Sequence, residues 1–181
     1  MGVVSYVDEY ELGELLNNFR RGKRLSPYHE FHFVNEKPET RAAFIAALAA
    51  APIAAQIAVV DMSRASATTS WTMGKGDMLL ARLIALCTTK MDRNAVENAV
   101  MLIDGNKGSL RFCNTVRALL SQELGAKGYS RGLKKVRISR SQRTPGIMVA
   151  DMLTGAARHE VLHGQPYLAH VKKTVGVVSL P

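Results

Sequence analysis

The sequence predicts a single α/β domain, because short β-prone segments alternate along the chain with longer helical patterns. The 181 residues are 47% hydrophobic and 22% charged, which is an ordinary globular composition with enough apolar side chains for one core. The run Ala99 to Ile103 is apolar and stops at Asp104 and a glycine-rich turn, which is typical of a strand buried on both faces. We therefore expect a mixed central sheet flanked by helices over residues 1–181, with a tail from about residue 165.

The N-terminal elements follow from capping residues and apolar spacing. Asp8, with Glu11 three residues later, marks a helix start, and Pro38 suits the first turn of another helix. Around Phe31, polar and apolar residues alternate, which predicts Phe31 and Phe33 inward with Glu30 and His32 on the other side. The expected elements are a strand over Val3–Val7, a helix over Glu9–Arg21, an edge strand or extended loop over His29–Phe33, a helix over Pro38–Ala51 and a strand over Gln56–Met62.

The C-terminal elements follow in the same way. Asp77 is a capping residue type, Val136 and Ile138 alternate with charged residues as in a half-buried strand, and Pro145 opens a long helical pattern. The expected elements are a helix from Asp77 to Lys90, the strand that ends at Asp104, a helix from Ser109 to Leu124, a strand over Leu133–Ile138, a helix from Pro145 to about Leu162 and a β-like run over Val175–Leu180.

The charge of the chain favours a polyanionic partner. Lys and Arg number 24 against 15 Asp and Glu, for a formal net charge of +9. Residues 131–143 hold six basic residues and no acidic one. We expect this window to bind nucleic acid, although such a window also occurs as a solvated strand edge that resists aggregation. The predicted nucleic-acid-binding residues are Lys134, Lys135, Arg137, Arg140 and Arg143.

Two other features limit the class of protein. Cys87 and Cys113 lie in apolar surroundings without CxxC spacing, which predicts reduced thiols in a cytoplasmic protein rather than a zinc or disulfide framework. The apolar stretch from Ala42 to Val60 is rich in alanine and is interrupted by Pro52, which argues against a membrane span. We expect no membrane partner. The sequence does not decide whether the protein forms a homo-oligomer.

Three acidic residues form the candidate chemical site. Asp104 ends a strand, where ligands of α/β sheets collect, although Asp before Gly is also a common turn opener. Asp151 lies in mid-helix on a small, apolar face, where it either pairs with Arg158 or faces a metal. With Glu30 as third ligand, these residues match a site for Mg²⁺ or Mn²⁺ in phosphoryl chemistry. His32 would either contact a ligating carboxylate and orient it, or act as a proton relay.

The same regions carry a family resemblance. Four strings resemble the bacterial and phage family called domain of unknown function 3800: Glu30-Phe31-His32-Phe33, Val100 to Asp104, Ile138 to Ser141, and Gly146 to Ala156. The last string, with its Ala-Asp-Met-Leu-Thr-Gly-Ala core, is the most specific, and the resemblance covers about Val3 to Val171. It implies a ribonuclease-H-like three-layer fold and a metal-dependent nuclease.

The sequence departs from that family at its start. Family members open with a strand that ends in Asp-Glu-Ser-Gly, whereas the nearest text here is Asp8-Glu9-Tyr10-Glu11. Val3 to Val7 resembles the second strand of the family, so the strand with the first acid is missing. This departure favours a second reading, a catalytically inactive nucleic-acid-binding or assembly module with the same fold.

A third reading comes from His159-Glu160-Val161-Leu162-His163, which has the HExxH form of zinc hydrolases. The motif lies at a helix end just before Gly164, and a zinc hydrolase would need a third ligand and a cleft beside the helix. The alternative is a pair of surface histidines favoured near a helix C-terminus by the helix dipole. A nucleotide hydrolase is disfavoured because the sequence has no Walker-type glycine loop.

Overall fold

The architecture is α/β, with helices and short strands that alternate along the chain. A computed structural model describes residues 1–60, 76–105, 110–129, 132–141, 144–171 and 175–180. The strands are β1 (Gly2–Tyr6), β2 (Ile53–Val60), β3 (Val100–Asp104), β4 (Lys135–Ser139) and β5 (Val175–Leu180). The α-helices are α1 (Glu9–Gly22), α2 (Pro38–Ala47), α3 (Gly76–Thr89), α4 (Arg93–Val96), α5 (Leu110–Ala126) and α6 (Pro145–His163), and short 3-10 helices cover Phe33–Asn35, Leu48–Ala50 and Tyr167–His170.

The described strands form two hydrogen-bonded sheets. One sheet has the order β1-β2-β5, and β1 runs antiparallel to β2. The other consists of β3 and β4 in parallel, with Asp104 opposite Ser139. Because parallel neighbours need a long crossover, α5 connects the end of β3 to the start of β4.

The chain divides into two compact units. The first unit contains Met1, Ala58–Arg140 and Val177–Pro181, and the second contains Gly2–Ile57 and Ser141–Gly176. In the first unit α5 packs on α3 and on β4. The buried positions of α5 recur at three- and four-residue intervals, as expected for a helix with one apolar stripe. The buried side chains of α5 are Cys113, Val116, Leu120 and Leu124.

The second unit is organised around α6. This helix packs on β1, α1, α2 and the 3-10 helix Phe33–Asn35, and its buried positions again follow helical spacing. Gly146 allows one close approach, since a Cβ at this position would collide with the ring of Tyr6. The other buried side chains of the unit include Leu12, Leu16, Phe31, Phe33, Phe44, Ile45, Leu48, Met148, Val149, Met152, Leu153 and Ala156.

Most predicted elements are confirmed. Asp8 caps α1 by accepting hydrogen bonds from the backbone N–H groups of Tyr10 and Glu11, at 2.7 and 3.3 Å. The β-like run at the C-terminus is β5, so the expected tail contains a strand of the three-stranded sheet. The end of the predicted strand at Asp61 and Met62 lies outside the described residues. No helix of the described residues has the length and apolar character that a membrane crossing requires.

One prediction about the sheet is wrong. β3 was expected to be buried on both faces, but Val100 is 44% exposed, Asp104 is exposed and only Ile103 is buried. In the described residues β3 pairs with β4 alone, in a sheet smaller than the single central sheet that we expected. A five-residue apolar run has no periodicity that separates one buried face from two, so its sequence could not decide this point.

Candidate functional site

The segment between α1 and α2 carries two predicted site residues, Glu30 and His32. Phe31 is 0% and Phe33 is 5% exposed, so both phenylalanines are anchored in the core of the second unit. Glu30 and His32 alternate with them and remain partly accessible. The alternation predicted from sequence is therefore confirmed, and the segment is an extended loop that continues into a 3-10 helix at Phe33.

Two arginines hold the backbone of this loop. Arg20 is 8% exposed, donates from Nε to the carbonyl of His29 at 2.9 Å, and lies 5.2 Å from the ring centroid of Phe31. Burial lowers the pKa of Arg20. Arg41 donates from Nε to the carbonyl of Phe33 at 2.7 Å and stacks over its ring at 4.5 Å. These contacts fix the direction in which Glu30 and His32 project.

Asp151 connects α6 to the loop. Its Oδ2 accepts a hydrogen bond from the backbone N–H of Phe33 at 3.0 Å, across 118 residues of sequence. Gly155, one turn later on α6, makes this approach possible, because a Cβ at Gly155 would collide with the ring of Phe33. The lack of a side chain at Gly155 therefore allows the loop to pack closely on α6.

Glu30, His32, Asp151 and Ser141 form one acid–histidine cluster. His32 Nε2 lies 3.1 Å from Glu30 Oε1, and His32 Nδ1 lies 3.6 Å from Asp151 Oδ2. Ser141 Oγ donates a hydrogen bond to Glu30 Oε1. The side chains of Glu30, His32 and Asp151 are 19%, 36% and 49% exposed, so a solute can reach the cluster.

The Arg158 pair, one of the two alternatives drawn from the sequence for Asp151, is not formed in the described part of the chain, whereas the metal alternative stays a prediction. The described residues contain no salt bridge between Asp151 and Arg158, and Asp151 is about half exposed rather than buried. Its partners are a backbone N–H and His32, which come from the distant loop. The apolar residues on the same face of the helix suggested that the carboxylate of Asp151 is buried. The loop that contains Phe33 instead covers only part of this carboxylate and leaves the rest exposed to solvent.

The arrangement of the cluster suits proton transfer directly and metal binding only after movement. The imidazole of His32 lies between the two carboxylates, and in its protonated form it can donate to both. Within the described residues, no group of three or more His, Cys, Asp or Glu side chains is arranged to hold a metal ion. The His32 ring would have to move for one ion to contact both carboxylates.

Asp104 belongs to the first unit. It ends β3, is exposed, and stands opposite Ser139 in the parallel register, while the N–H of Gly105 donates to the carbonyl of Ser139 at 3.2 Å. Its predicted position at the carboxyl end of a strand is confirmed. Its convergence with the acid–histidine cluster, which belongs to the second unit, stays a prediction.

The predicted basic window forms an exposed strand surface in the first unit. Val136 is 4% exposed, whereas Lys135 and Arg137 point outward, as the alternation predicted. Arg117 on α5 joins them by donating from Nη2 to the carbonyl of Val136 at 3.3 Å. We call this the basic strand surface; its members are Lys134, Lys135, Arg137, Arg140 and Arg117, whereas Arg131 and Arg143 lie outside the described residues.

The HExxH residues lie at the end of α6. The rings of His159 and His163 have centroids 4.4 Å apart, and Glu160 Oε2 accepts a hydrogen bond from the N–H of Leu168 at 3.1 Å. Burial, followed by the nearby charges of His163 and Arg41, lowers the pKa of His159. The carboxylate of Glu160 thus has a structural partner at the start of the 3-10 helix Tyr167–His170.

Sequence reasoning assigned no role to two residues that the geometry brings to these sites. Ser141 stands just after β4, and a lone serine gives no sign that it will meet a carboxylate 111 residues away. Arg117 is 19 residues from the carbonyl that it contacts, on a different element.

Comparison with protein families, with curated proteins and with solved structures finds no match to this chain.

Proposed function

We propose that this chain is a ribonuclease-H-like, metal-dependent nuclease that cleaves nucleic acid phosphodiesters. The observation that carries the proposal is the convergence of Glu30, His32 and Asp151, which come from a loop and a helix far apart in the chain. Two carboxylates and an imidazole brought together at an accessible site are groups that catalytic sites use to bind ions and to transfer protons.

In this proposal Glu30 and Asp151 are ligands of Mg²⁺ or Mn²⁺. Carboxylate oxygens are the ligands that these hard cations prefer, and a bound ion would stabilise the charge that develops on the phosphate oxygens. Ser141 orients Glu30 through its hydrogen bond. His32, which contacts both carboxylates, would serve as a proton relay beside the ion.

The basic strand surface supplies the contact with the substrate backbone. Lys135 and Arg137 are exposed on β4, and Arg117 adds a guanidinium from α5. Because phosphate contacts release counterions, this surface would bind nucleic acid without sequence preference and with strong dependence on salt.

The proposal is tested by nuclease assays of the purified chain with Mg²⁺ or Mn²⁺ on single-stranded, double-stranded and hybrid nucleic acids. Asp151→Asn should abolish cleavage while the circular dichroism spectrum is unchanged. Asp92→Asn is the matched control, since Asp92 is exposed and makes no capping hydrogen bond to α4. Metal-dependent cleavage that survives Asp151→Asn would refute the assignment of this residue.

The second candidate is an inactive nucleic-acid-binding or assembly module. The observation in its favour is that the ring nitrogens of His32 already contact both Glu30 and Asp151 without a metal. This candidate predicts no cleavage with any divalent ion, but binding that weakens steeply with salt and is lost in the Lys135→Glu/Arg137→Glu double variant. Lys37→Glu/Arg158→Glu, with the same charge change on exposed residues of the second unit, should retain binding. Binding that is unaffected by both double variants would eliminate the basic strand surface from either candidate.

A further inference from the structure

Two histidines of the HExxH segment, His159 and His163, have no role in the proposed nuclease. We propose that His159 and His163 form a two-histidine site for a borderline transition-metal ion such as Zn²⁺, without hydrolytic activity. Residues four apart on a helix share one face, and imidazole nitrogens are ligands that suit Zn²⁺, Ni²⁺ and Cu²⁺.

The separation of the two rings is close to, and slightly below, that of two imidazoles that share one ion. Imidazoles that bind one ion through nitrogens at about 2.0–2.1 Å have centroids about 4.5–5.2 Å apart, for angles at the metal from a right angle to tetrahedral. The centroids of His159 and His163 are 4.4 Å apart, with the ring planes tilted by 55°. Because 4.4 Å is slightly below this range, the exposed ring of His163 would have to turn outward to admit the ion.

The ring of His159 is already fixed in place. It packs against Tyr167 with centroids 5.3 Å apart and against Phe33 at 5.9 Å. Its Nδ1 atom is buried without a hydrogen-bond partner in the part of the chain that the structure describes, so Nε2 is the nitrogen left for an ion from solvent.

The site has two protein ligands, and water would complete the coordination. The described residues contain no group of three or more metal-ligating side chains, and His159 Nδ1 lacks the acceptor that usually supports a ligating histidine. Missing support of this kind lowers metal affinity about 10- to 100-fold. We therefore expect binding in the micromolar range rather than a permanently bound ion.

Glu160 separates this site from a zinc hydrolase. In a hydrolase the glutamate of HExxH must face the metal-bound water to act as its base. Here Glu160 Oε2 accepts the N–H of Leu168 and thereby connects α6 to the 3-10 helix Tyr167–His170. The bound ion would instead stabilise the end of α6.

The test is a calorimetric titration of the untagged, full chain, freed of metal, with Zn²⁺. One ion is expected at the two histidines, and His163→Ala should weaken this binding at least tenfold, because it removes one of two ligands. His163 is exposed at the helix end, so the variant should keep the fold, and His163→Gln provides a second variant without an imidazole. The matched control His170→Ala, also an exposed histidine, should bind as the native chain does.

Further variants separate this site from the others. Glu160→Gln should retain Zn²⁺ binding, and Glu30→Gln, in the acid–histidine cluster, should also retain it. Zn²⁺ should raise the melting temperature of the native chain but not of His163→Ala. Binding that is unchanged in both His163 variants, or binding that is lost in Glu30→Gln, would overturn the proposal.

Discussion

Gly155→Ala tests whether close packing of α6 on the loop builds the acid–histidine cluster. A Cβ at Gly155 would overlap the side chain of Phe33, which is 5% exposed. Phe33 cannot withdraw freely, because Asp151 holds its N–H and Arg41 holds its carbonyl. Overpacking of this kind costs about 1–3 kcal/mol, whereas alanine gains about 1 kcal/mol over glycine inside a helix. The net change should range from almost none to a loss of about 2 kcal/mol of unfolding free energy.

The matched control for this variant is Gly13→Ala in α1. A Cβ at Gly13 would meet only Pro145, at an ordinary contact distance of 3.8 Å, so this variant keeps the full helix-propensity gain. Urea unfolding should therefore place Gly155→Ala about 1–3 kcal/mol below Gly13→Ala. Amide hydrogen exchange at Phe33 should also become faster as its bond to Asp151 lengthens. If both variants stabilise the chain equally, the steric role of Gly155 is wrong.

Three other predictions concern stability. Asp8→Ala removes the cap that accepts from Tyr10 N–H and should cost about 1 kcal/mol in urea unfolding, while Asp8→Asn should retain most of it. Burial raises the pKa of Cys87 from 9.0 to about 11, so the folded state holds this proton more tightly than the unfolded state. The resulting stability, up to about 3 kcal/mol, is present below pH 9.0 and should be lost as pH rises toward about 11. Unfolding of Cys87→Ala should show a shallower loss over the same pH range, and equal slopes would contradict this effect. Leu16 is 0% exposed, so Leu16→Ala should cost about 2–5 kcal/mol, whereas Leu162→Ala at a 60% exposed position should change stability by at most about 0.5 kcal/mol.

Features that depend on neighbours in the chain could be predicted from the sequence alone. The Asp8 cap, the start of α6 at Pro145 and the run of β5 were all predicted closely, because capping and apolar periodicity are local properties. The alternation of Phe31 and Phe33 with Glu30 and His32 was predicted for the same reason. The α/β class follows from the order of such elements.

The contacts between distant groups became visible only in the folded structure. The contacts of Asp151 with His32 and the Phe33 N–H, and of Ser141 with Glu30, join residues more than 100 positions apart, and no local pattern encodes them. The exposure of β3 depends on which element covers each face, a non-local property that a short apolar run does not contain. The sequence therefore indicated which residue types would form a site, whereas packing between distant elements chose their partners.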